Sequence, residues 1–289
     1  MADNTFGRIG DFQILGTLGT GAHSTILHIR RSTDGKQYAL KVVPVESKDD
    51  QKFLLQAQHE FRVAQMFRHA NLIKVYALET PRDWLMRVRK VNLLIEFING
   101  KTLDVIPRLS LPRLVQIFTK IASGLQHMHL RGVFHADLKP NNIMLSRTGD
   151  VKIIDYGLAR IKGESRERVQ GTPEYMAPEQ AKSGTVNELT DIYNFGATMY
   201  RLATWRLPPS AIPAAGGLPM DAKTFAAAVK PVQEYTPAAP DQLCELIHHC
   251  LAYKAPQRPE NVGDILPVLH DLVEEMVKTP DDALDNLEW

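Results

Sequence analysis

His-Ala-Asp-Leu-Lys-Pro-Asn-Asn-Ile-Met-Leu, residues 135–145, holds more chemistry in fewer residues than any other stretch of the chain. Asp137, Lys139 and Asn142 place a carboxylate, an ammonium and an amide within six residues, and an apolar strand-like run follows. Such groups can accept a proton, neutralise an anion and bind a cation. Their grouping makes this stretch the densest cluster of polar functional groups in the chain, placed just before a predicted strand.

Four further motifs follow along the chain. They are Asp155-Tyr156-Gly157 after an apolar run, Gly171–Glu179, Asp191–Gly196 and Pro256–Pro259. Each motif taken alone is too unspecific to identify a function. Their order and spacing carry the information.

A glycine-rich segment, Gly19-Thr20-Gly21-Ala22-His23-Ser24, lies upstream. A dinucleotide-binding loop would run from a strand into a helix, and a Walker-type loop would end in Gly-Lys-Ser/Thr. This segment instead joins two predicted strands, which favours a flap whose backbone N–H groups lie over phosphates. A turn without a ligand is the alternative.

Lys41 lies twenty residues after Gly21, inside an apolar strand. It is either a charge that protects an edge strand or a cation that neutralises phosphate oxygens, and the residue alone leaves both open. The second role needs a carboxylate to hold the lysine. Glu60, in the middle of a predicted helix, is the candidate, although a single helical glutamate is usually solvated.

Composition excludes several classes of protein. The 289 residues contain 34 Lys+Arg and 33 Asp+Glu, a net charge of +1, whereas dedicated nucleic-acid binders usually carry a strong basic excess. No apolar run approaches the roughly 20 residues of a membrane span, and the N-terminus has no signal-peptide pattern. Cys244 and Cys250 are six apart in a predicted helix, too far for a disulfide, so we expect reduced thiols and a cytoplasmic protein.

The pattern of apolar residues predicts a β-rich first part and a mainly helical second part. The predicted strands are 11–19, 24–31, 38–43, 72–78 and 91–98, and the predicted helices are 51–67, 114–130, 190–204, 241–251 and 262–277. We expect the proline-rich stretch 206–240 to be a surface excursion and the acidic tail 281–289 to be frayed.

Taken together, the motifs resemble those of eukaryotic-type (Hanks-type) serine/threonine protein kinases, in the style of the bacterial ones, over residues 11–275. The resemblance implies an α+β, bilobal kinase fold. A small β-rich N-lobe with one regulatory helix would span residues 1–98, a larger mainly helical C-lobe 99–275, and an acidic tail 276–289. His69-Ala70-Asn71 matches the family's turn after that helix and favours Glu60 over Glu46.

The resemblance also implies site residues for ATP, Mg²⁺ (with Mn²⁺ as a possible substitute) and protein substrates. Asp137 would accept the proton of the substrate hydroxyl, Lys139 would stabilise the γ-phosphate, and Lys41 would hold the α- and β-phosphates while paired with Glu60. Asn142 and Asp155 would bind the metal. The implied nucleotide-binding residues are Leu18, Gly19, Thr20, Gly21, Ile26, Ala39, Lys41, Glu96, Ile98, Asn142, Met144 and Asp155.

Three other motif residues match structural positions of the family. By resemblance, Glu179 and Arg258 would form an ion pair, and Asp191 would support the catalytic loop. A lysine two residues after the catalytic aspartate, as at Lys139, is typical of the serine/threonine class.

The sequence departs from the family pattern at the activation segment. Ala136 replaces the arginine that receives a phosphate there, and between Gly157 and Gly171 only Ser165 carries a hydroxyl. We therefore predict an activity that does not require phosphorylation of this segment; whether Ser165 or Thr172 is modified stays open. Ser24 replaces the third loop glycine, and Tyr156 replaces the usual phenylalanine, which would pack if its hydroxyl finds a partner.

The sequence disfavours three alternative functions. A pseudokinase that acts as an ATP-binding signalling module is disfavoured, because the sequence has all five polar residues that the chemistry needs: Lys41, Glu60, Asp137, Asn142 and Asp155. A small-molecule phosphotransferase is disfavoured by Gly171–Glu179, which shapes a groove for protein substrates in the family. A metal-binding protein built on the ten histidines lacks ligand spacing.

Overall fold

The computed structural model describes residues 7–21, 23–164, 170–210 and 220–278, together with Asp282, Leu284 and Leu287. The chain divides into two compact units, and each is described by itself. The first contains the residues up to Arg68, Ile73–Asn99 and Asp155–Gly157. The second contains His69–Leu72, Gly100–Ile154 and the chain from Leu158 onward.

The first unit is a sheet with one helix. Its strands are β1 (Arg8–Ile9), β2 (Phe12–Gly21), β3 (Ser24–Arg31), β4 (Gln37–Pro44), β5 (Val75–Glu79) and β6 (Lys90–Glu96), and its helix is α1 (Gln51–Ala64). The strands form one antiparallel sheet in the order β1-β2-β3-β4-β6-β5.

The alternation of β4 explains how this unit buries both apolar and charged groups. Tyr38 and Leu40 join Ile29 in a buried cluster, while Lys41, the next residue, points to the opposite face of the sheet. Helix α1 buries Leu54, Ala57 and Val63 at helical spacing. Glu60 belongs to the same buried stripe, so an acidic side chain enters this interior.

The second unit is mainly helical. Its strands are the short β7 (Gly100–Thr102), β8 (Val133–Phe134), β9 (Ile143–Ser146), β10 (Val151–Ile153) and β11 (Arg160–Ile161). Its helices are α2 (Leu111–His129), α3 (Pro178–Ser183), α4 (Glu188–Thr204), α5 (Ala222–Ala228), α6 (Val232–Tyr235), α7 (Asp241–Cys250) and α8 (Val262–Met276). None of the helices in the described part of the chain is long and apolar enough to cross a bilayer.

Helices α2 and α4 form the interior of the second unit. The predicted apolar stripe of α2 is confirmed, because every member of it is at most 3% exposed: Leu114, Ile117, Phe118, Ile121, Leu125 and Met128. Helix α4 is buried on most sides, as its sequence predicts. The predicted α+β fold with a small β-rich part, one helix in it and a larger helical part is confirmed.

The prediction that residues 206–240 are only a surface excursion is wrong for part of that stretch. Residues 211–219 lie outside the described residues, but α5 and α6 follow them, and Phe225 and Val232 are 2% and 0% exposed. Phe225 packs against Tyr193 of α4 and Tyr253, with ring centroids 6.3 and 5.5 Å away. The prolines interrupt the helices without preventing burial of the apolar residues between them.

The prediction of a frayed tail is wrong for the three tail residues that the structure describes. Leu284 and Leu287 are 3% and 4% exposed. The Leu287 N–H donates to the Arg147 carbonyl at 3.0 Å, and the Asp282 carbonyl accepts from Gln116 Nε2 at 2.7 Å. Burial of the two leucines and these hydrogen bonds hold the three described residues against the second unit.

Two smaller expectations have clear outcomes. Cys244 and Cys250 are free, buried thiols, as predicted. The strand predicted from Leu72 begins only at Val75, because Leu72 forms an isolated bridge with Ile153 of β10. Leu72 therefore belongs to the second unit, although the strand that follows belongs to the first.

Candidate active site

In the first unit, the predicted pair of Lys41 and Glu60 is formed. Strand β4 carries Lys41 and helix α1 carries Glu60, and Lys41 Nζ donates to Glu60 Oε2 at 2.7 Å. The side chains are 20% and 6% exposed. The lysine is therefore not an edge-strand charge, since β4 lies between β3 and β6 in the sheet.

Burial and charge act against each other in this pair. Burial raises the pKa of Glu60, and Lys41 opposes that shift. Burial also disfavours the charged form of Lys41, but the carboxylates of Glu60 and Asp155 outweigh it and raise the pKa of the lysine. The unit thus keeps an ammonium ion in a largely desolvated place.

Asp155 lies beside this pair. Together with Lys41, Glu60, His23 and other side chains, it lines a cavity of about 210 Å³. The backbone of Asp155 is in the left-handed region, with φ of 66°, and its Oδ1 accepts the Gly157 N–H at 3.0 Å. A non-glycine residue in that region is held at a cost, which is frequent at functional sites.

The glycine loop ends β2 and leads into β3, as predicted from the sequence; Ala22 lies outside the described residues. Apart from its two chain neighbours, no atom of the described residues lies within 4 Å of the position that a Cβ atom at Gly19 would take. Packing against the described residues therefore does not require this glycine. The space above its backbone is open, as a loop that approaches a ligand closely would need.

The remaining predicted nucleotide residues of the first unit occupy neighbouring strands. Ile26 of β3 lies opposite Gly19 and Lys41, and Ala39 of β4 lies opposite Ile95. Glu96 ends β6, and its N–H donates to the Lys74 carbonyl at 2.9 Å. Leu18, Thr20 and Gly21 lie in the glycine loop, and Ile98 follows β6.

In the second unit, hydrogen bonds fix the carboxylate of Asp137 through both oxygens. Its Oδ1 accepts the Thr172 N–H at 2.8 Å, and its Oδ2 lies 2.9 Å from Lys139 Nζ and 3.3 Å from Asn142 Nδ2. Lys139 Nζ also donates to Thr172 Oγ1 at 2.5 Å. The predicted residues Asp137, Lys139 and Asn142 are therefore together, and Thr172 completes the group.

The loop that carries these residues connects β8 to β9. Asn142 Nδ2 donates to the Asp137 carbonyl at 2.9 Å, and the Asn142 carbonyl accepts the Ile154 N–H at 2.8 Å. Met144 lies in β9, opposite Lys152 of β10. The loop is thus tied to the residue that immediately precedes Asp155 in the chain.

Asp191 of α4 holds the start of the loop, as the resemblance implies. It is fully buried, and it accepts the His135 N–H at 2.7 Å and the Ala136 N–H at 2.8 Å. His129 Nε2 lies 2.7 Å from the same carboxylate, and its Nδ1 lies 3.1 Å from Glu188 Oε1. Burial lowers the pKa of His129, but the two carboxylates outweigh it and raise the pKa to about 9.

Ala136, which replaces the family's arginine, adopts a left-handed backbone with φ of 66°. Its N–H is held by Asp191, and its carbonyl accepts from Gln180 Nε2 at 2.6 Å. Gln180 is 1% exposed and also donates to the Gln170 carbonyl at 3.1 Å. This glutamine links the catalytic loop to the segment that follows the undescribed residues 165–169.

Two expectations about packing are confirmed. Tyr156 is fully buried, its hydroxyl donates to the Ile73 carbonyl at 3.2 Å, and its ring meets Phe67 edge to face. Arg258 forms the expected pair with Glu179, with bonds of 2.8 and 2.9 Å.

The sequence interpretation missed two contributors. Gln180 directly follows Glu179, but nothing in the sequence shows which carbonyls a buried amide will bind. His129 is a core histidine, as its residue type favours, yet its position between two carboxylates depends on the distant helix α4. Ser165 lies outside the described residues.

Comparison with known proteins agrees with this arrangement. The chain is 32% identical over 209 residues to a probable serine/threonine-protein kinase of Streptomyces coelicolor, 28% over 271 residues to one of Clostridium acetobutylicum, and 26% over 207 residues to the serine/threonine-protein kinase PrkC of Bacillus subtilis. These matches cover 69%, 90% and 69% of this chain, but only 31%, 40% and 31% of the relatives. The chain thus spans well under half the length of these relatives. The family model for the protein kinase domain matches residues 12–271, nearly the whole chain, and the protein therefore belongs to the protein kinase family.

Proposed function

We propose that this chain is an active serine/threonine protein kinase that transfers the γ-phosphoryl group of ATP to Ser and Thr hydroxyls of proteins, its own included. The arrangement of Asp137, Lys139 and Thr172 carries the proposal. The carboxylate is oriented through both of its oxygens, and a lysine contacts both it and a threonine hydroxyl. The names of the bacterial relatives support the same class of activity.

The proposed step needs positioning and charge neutralisation more than covalent chemistry from the protein. Asp137 orients the substrate hydroxyl and accepts its proton while the hydroxyl oxygen bonds to the γ-phosphorus and the bond to ADP breaks. Lys139 offsets negative charge on the transferred group. Lys41, held by Glu60, binds the α- and β-phosphate oxygens.

The residues present fit ATP and Mg²⁺. A cavity that presents the ammonium of Lys41 and the carboxylate of Asp155 suits phosphate oxygens and a hard cation. We propose that Asp155 and Asn142 hold Mg²⁺, or Mn²⁺ in its place, which supplies charge neutralisation to the phosphates when bound.

The proposal assigns the nucleotide to the glycine loop and its neighbours. Leu18–Gly21 would cover the phosphates, while Ile26, Ala39 and Met144 would contact the base and the Glu96 and Ile98 backbones would bond its edge. We further propose that the chain boundary between the two lobes lies between residues 98 and 99, and that the protein is cytoplasmic.

The test is a transfer assay with labelled ATP, Mg²⁺ and a generic basic protein, with Asp155→Asn as the matched control. We expect label on the basic protein and on the kinase itself, only on Ser and Thr after acid hydrolysis, and none with the control. ATP-dependent thermal stabilisation without transfer would instead indicate a pseudokinase. Transfer to sugars or drugs but not to protein would indicate a small-molecule phosphotransferase.

A further inference from the structure

The connection between β5 and β6 presents three consecutive large apolar side chains to solvent. Trp84, Leu85 and Met86 are 87%, 45% and 67% exposed. Among the described residues, no other large apolar side chain is as exposed as Trp84. Single exposed apolar residues are normal on protein surfaces, but a contiguous exposed group marks a site of interaction.

We call the exposed residues Trp84, Leu85 and Met86 the tip of this connection. The side chain of Asp83 fixes its conformation by hydrogen bonds. Its Oδ1 accepts the N–H groups of Leu85 at 2.9 Å and Arg87 at 3.0 Å, and its Oδ2 accepts from Arg89 Nε at 2.8 Å. The Met86 N–H donates to the Asp83 carbonyl, and the Asp83 N–H donates to the Arg87 carbonyl, both at 2.9 Å. The three apolar residues are therefore displayed by a closed turn.

Met86 shows that this display has a conformational cost. Its φ is 61°, in the left-handed region that favours glycine. A long apolar side chain is thus held out at a position where the smallest residue would be easiest to accommodate. Strain of this kind points to a function for the side chain that is presented.

Within residues 80–90 the charges are mostly positive, and the exposed Glu79 precedes them. Residues 80–90 contain four cationic side chains, Arg82, Arg87, Arg89 and Lys90, and one carboxylate, Asp83, which is occupied by the turn itself. Arg82 and Arg87 are exposed, and no ion pair is formed by either within the described part of the chain. The apolar tip is flanked by the two exposed arginines. It is therefore complementary to a partner with an apolar interior and anionic groups on its surface.

We propose that Trp84, Leu85 and Met86 insert into the interfacial region of an anionic phospholipid membrane, with Arg82 and Arg87 on the headgroup phosphates. Tryptophan favours the boundary between headgroups and acyl chains, and cationic residues gain affinity from anionic lipid. The side chains of Trp84 and Met86 are exposed by more than half, and a deformable bilayer can accept such side chains without a preformed pocket. Such binding would concentrate the kinase at the membrane surface.

The test measures binding of the full chain to vesicles by co-sedimentation. Vesicles of equimolar phosphatidylglycerol and phosphatidylcholine are compared with vesicles of phosphatidylcholine alone. We expect binding to the anionic vesicles that weakens with salt, and much weaker binding to the neutral ones. Tryptophan emission should shift to shorter wavelength on binding, and Trp84→Phe should abolish most of that shift while retaining binding.

Two sets of variants test the two parts of the surface. The triple variant Trp84→Ser/Leu85→Ser/Met86→Ser and the double variant Arg82→Gln/Arg87→Gln should each weaken binding about tenfold or more. The controls are Leu130→Ser, which changes a leucine that is 79% exposed, and Lys182→Gln/Lys223→Gln, which removes two exposed charges elsewhere. The controls should bind like the wild type.

Three results of the vesicle assay would overturn the proposal, and a fourth result would come from sedimentation without vesicles. The three are no binding to anionic vesicles, equal binding to neutral vesicles, and unchanged binding of the triple variant. Self-association that the triple variant abolishes, seen by sedimentation without vesicle binding, would assign the tip to a second copy of the chain and also overturn it. Thermal unfolding and phosphorylation of a soluble basic protein check that each variant is folded, so a failure here is separate from a failure of the proposed kinase activity.

Discussion

Each unit contains a conspicuous buried or half-buried ion pair, and the two pairs differ in kind. In the first unit, Lys41 and Glu60 share one hydrogen bond of 2.7 Å. In the second, Arg258 donates two hydrogen bonds to the Glu179 carboxylate. The same guanidinium also donates to three backbone carbonyls, those of Ala252, Leu189 and Tyr253. The arginine side chain is fully buried, whereas that of Lys41 is 20% exposed.

The pKa shifts of the two glutamates reflect this difference. Burial raises the pKa of Glu60 despite Lys41. Burial also disfavours ionised Glu179, but the bond from Arg258 and its charge prevail and lower the pKa. The planar guanidinium of Arg258 donates to both oxygens of the Glu179 carboxylate. The ammonium of Lys41 is a point charge with three donors, of which one bonds to Glu60. The comparison indicates a structural pair in the second unit and a pair with donors left for a ligand in the first.

The largest effect should come from breaking the structural pair. Arg258→Met would leave Glu179 and several carbonyls without their donor, and we expect it to lower the free energy of unfolding by about 3–5 kcal/mol. Urea denaturation measures this, with Arg206→Met as the exposed control. Adding Glu179→Gln should recover part of the loss; a double variant no more stable than the single one would contradict the charge argument.

His129 extends the comparison to an ion pair whose cation has its pKa raised to about 9. Its pKa is raised from 6.5 to about 9, so its stabilising effect is complete below the unfolded value and is lost as pH rises through the folded one. We expect the difference in unfolding free energy between wild type and His129→Gln to shrink by about 3 kcal/mol across that range. Denaturation at a series of pH values tests this, and the exposed His249→Gln should show no such change.

Breaking the pair of the first unit should affect activity more than stability. Lys41→Met should reduce phosphoryl transfer about a hundredfold or more, because a donor to the phosphates is lost. Lys41→Arg sharpens the comparison: its fork can bind Glu60 at two points, and activity should still fall although the charge is kept. Lys36→Met is the exposed control, and near-normal transfer by both Lys41 variants would refute the assignment.

A smaller effect should follow from Gln180→Leu, which removes the donor to the Ala136 and Gln170 carbonyls. We expect kcat to fall about tenfold with little change in the KM for ATP, because one buried hydrogen-bonding group that positions the loop is lost. Steady-state kinetics measures both constants. Gln257→Leu, an exposed glutamine, is the control, and a change confined to KM would argue against a positioning role.

The smallest effect should be that of Ser165→Ala, a residue outside the described range. Since Ala136 cannot bind a phosphate and Gln180 already ties the loop to the segment, we expect transfer to stay within about twofold of wild type. The assay is transfer to the basic protein before and after phosphatase treatment. Loss of nearly all activity at unchanged stability would show that the segment does need phosphorylation.

Much of the fold was predictable, because periodicity reports which face of an element is buried. The stripe of α2 and the strands around Lys41 follow from residue spacing alone. The errors arose where burial depends on distant partners. Phe225 and Leu287 lie in stretches whose prolines or acidic residues resemble surface sequence, and both are buried because other elements offer an apolar place for them.

The candidate site divides in the same way. The order of the motifs around Asp137 and Asp155 identified the family and the residue types needed for phosphoryl transfer, because those types and spacings are local properties of the chain. The resemblance implied that Lys41 pairs with Glu60, and the structure confirmed it. Only the tertiary structure showed that Thr172 and Lys139 hold the Asp137 carboxylate and that Gln180 supports Ala136. Apart from the contact of Lys139 with Asp137, which are two positions apart, these contacts join residues 19 to 44 positions apart. Which partner a polar group finds at that range depends on how the elements pack.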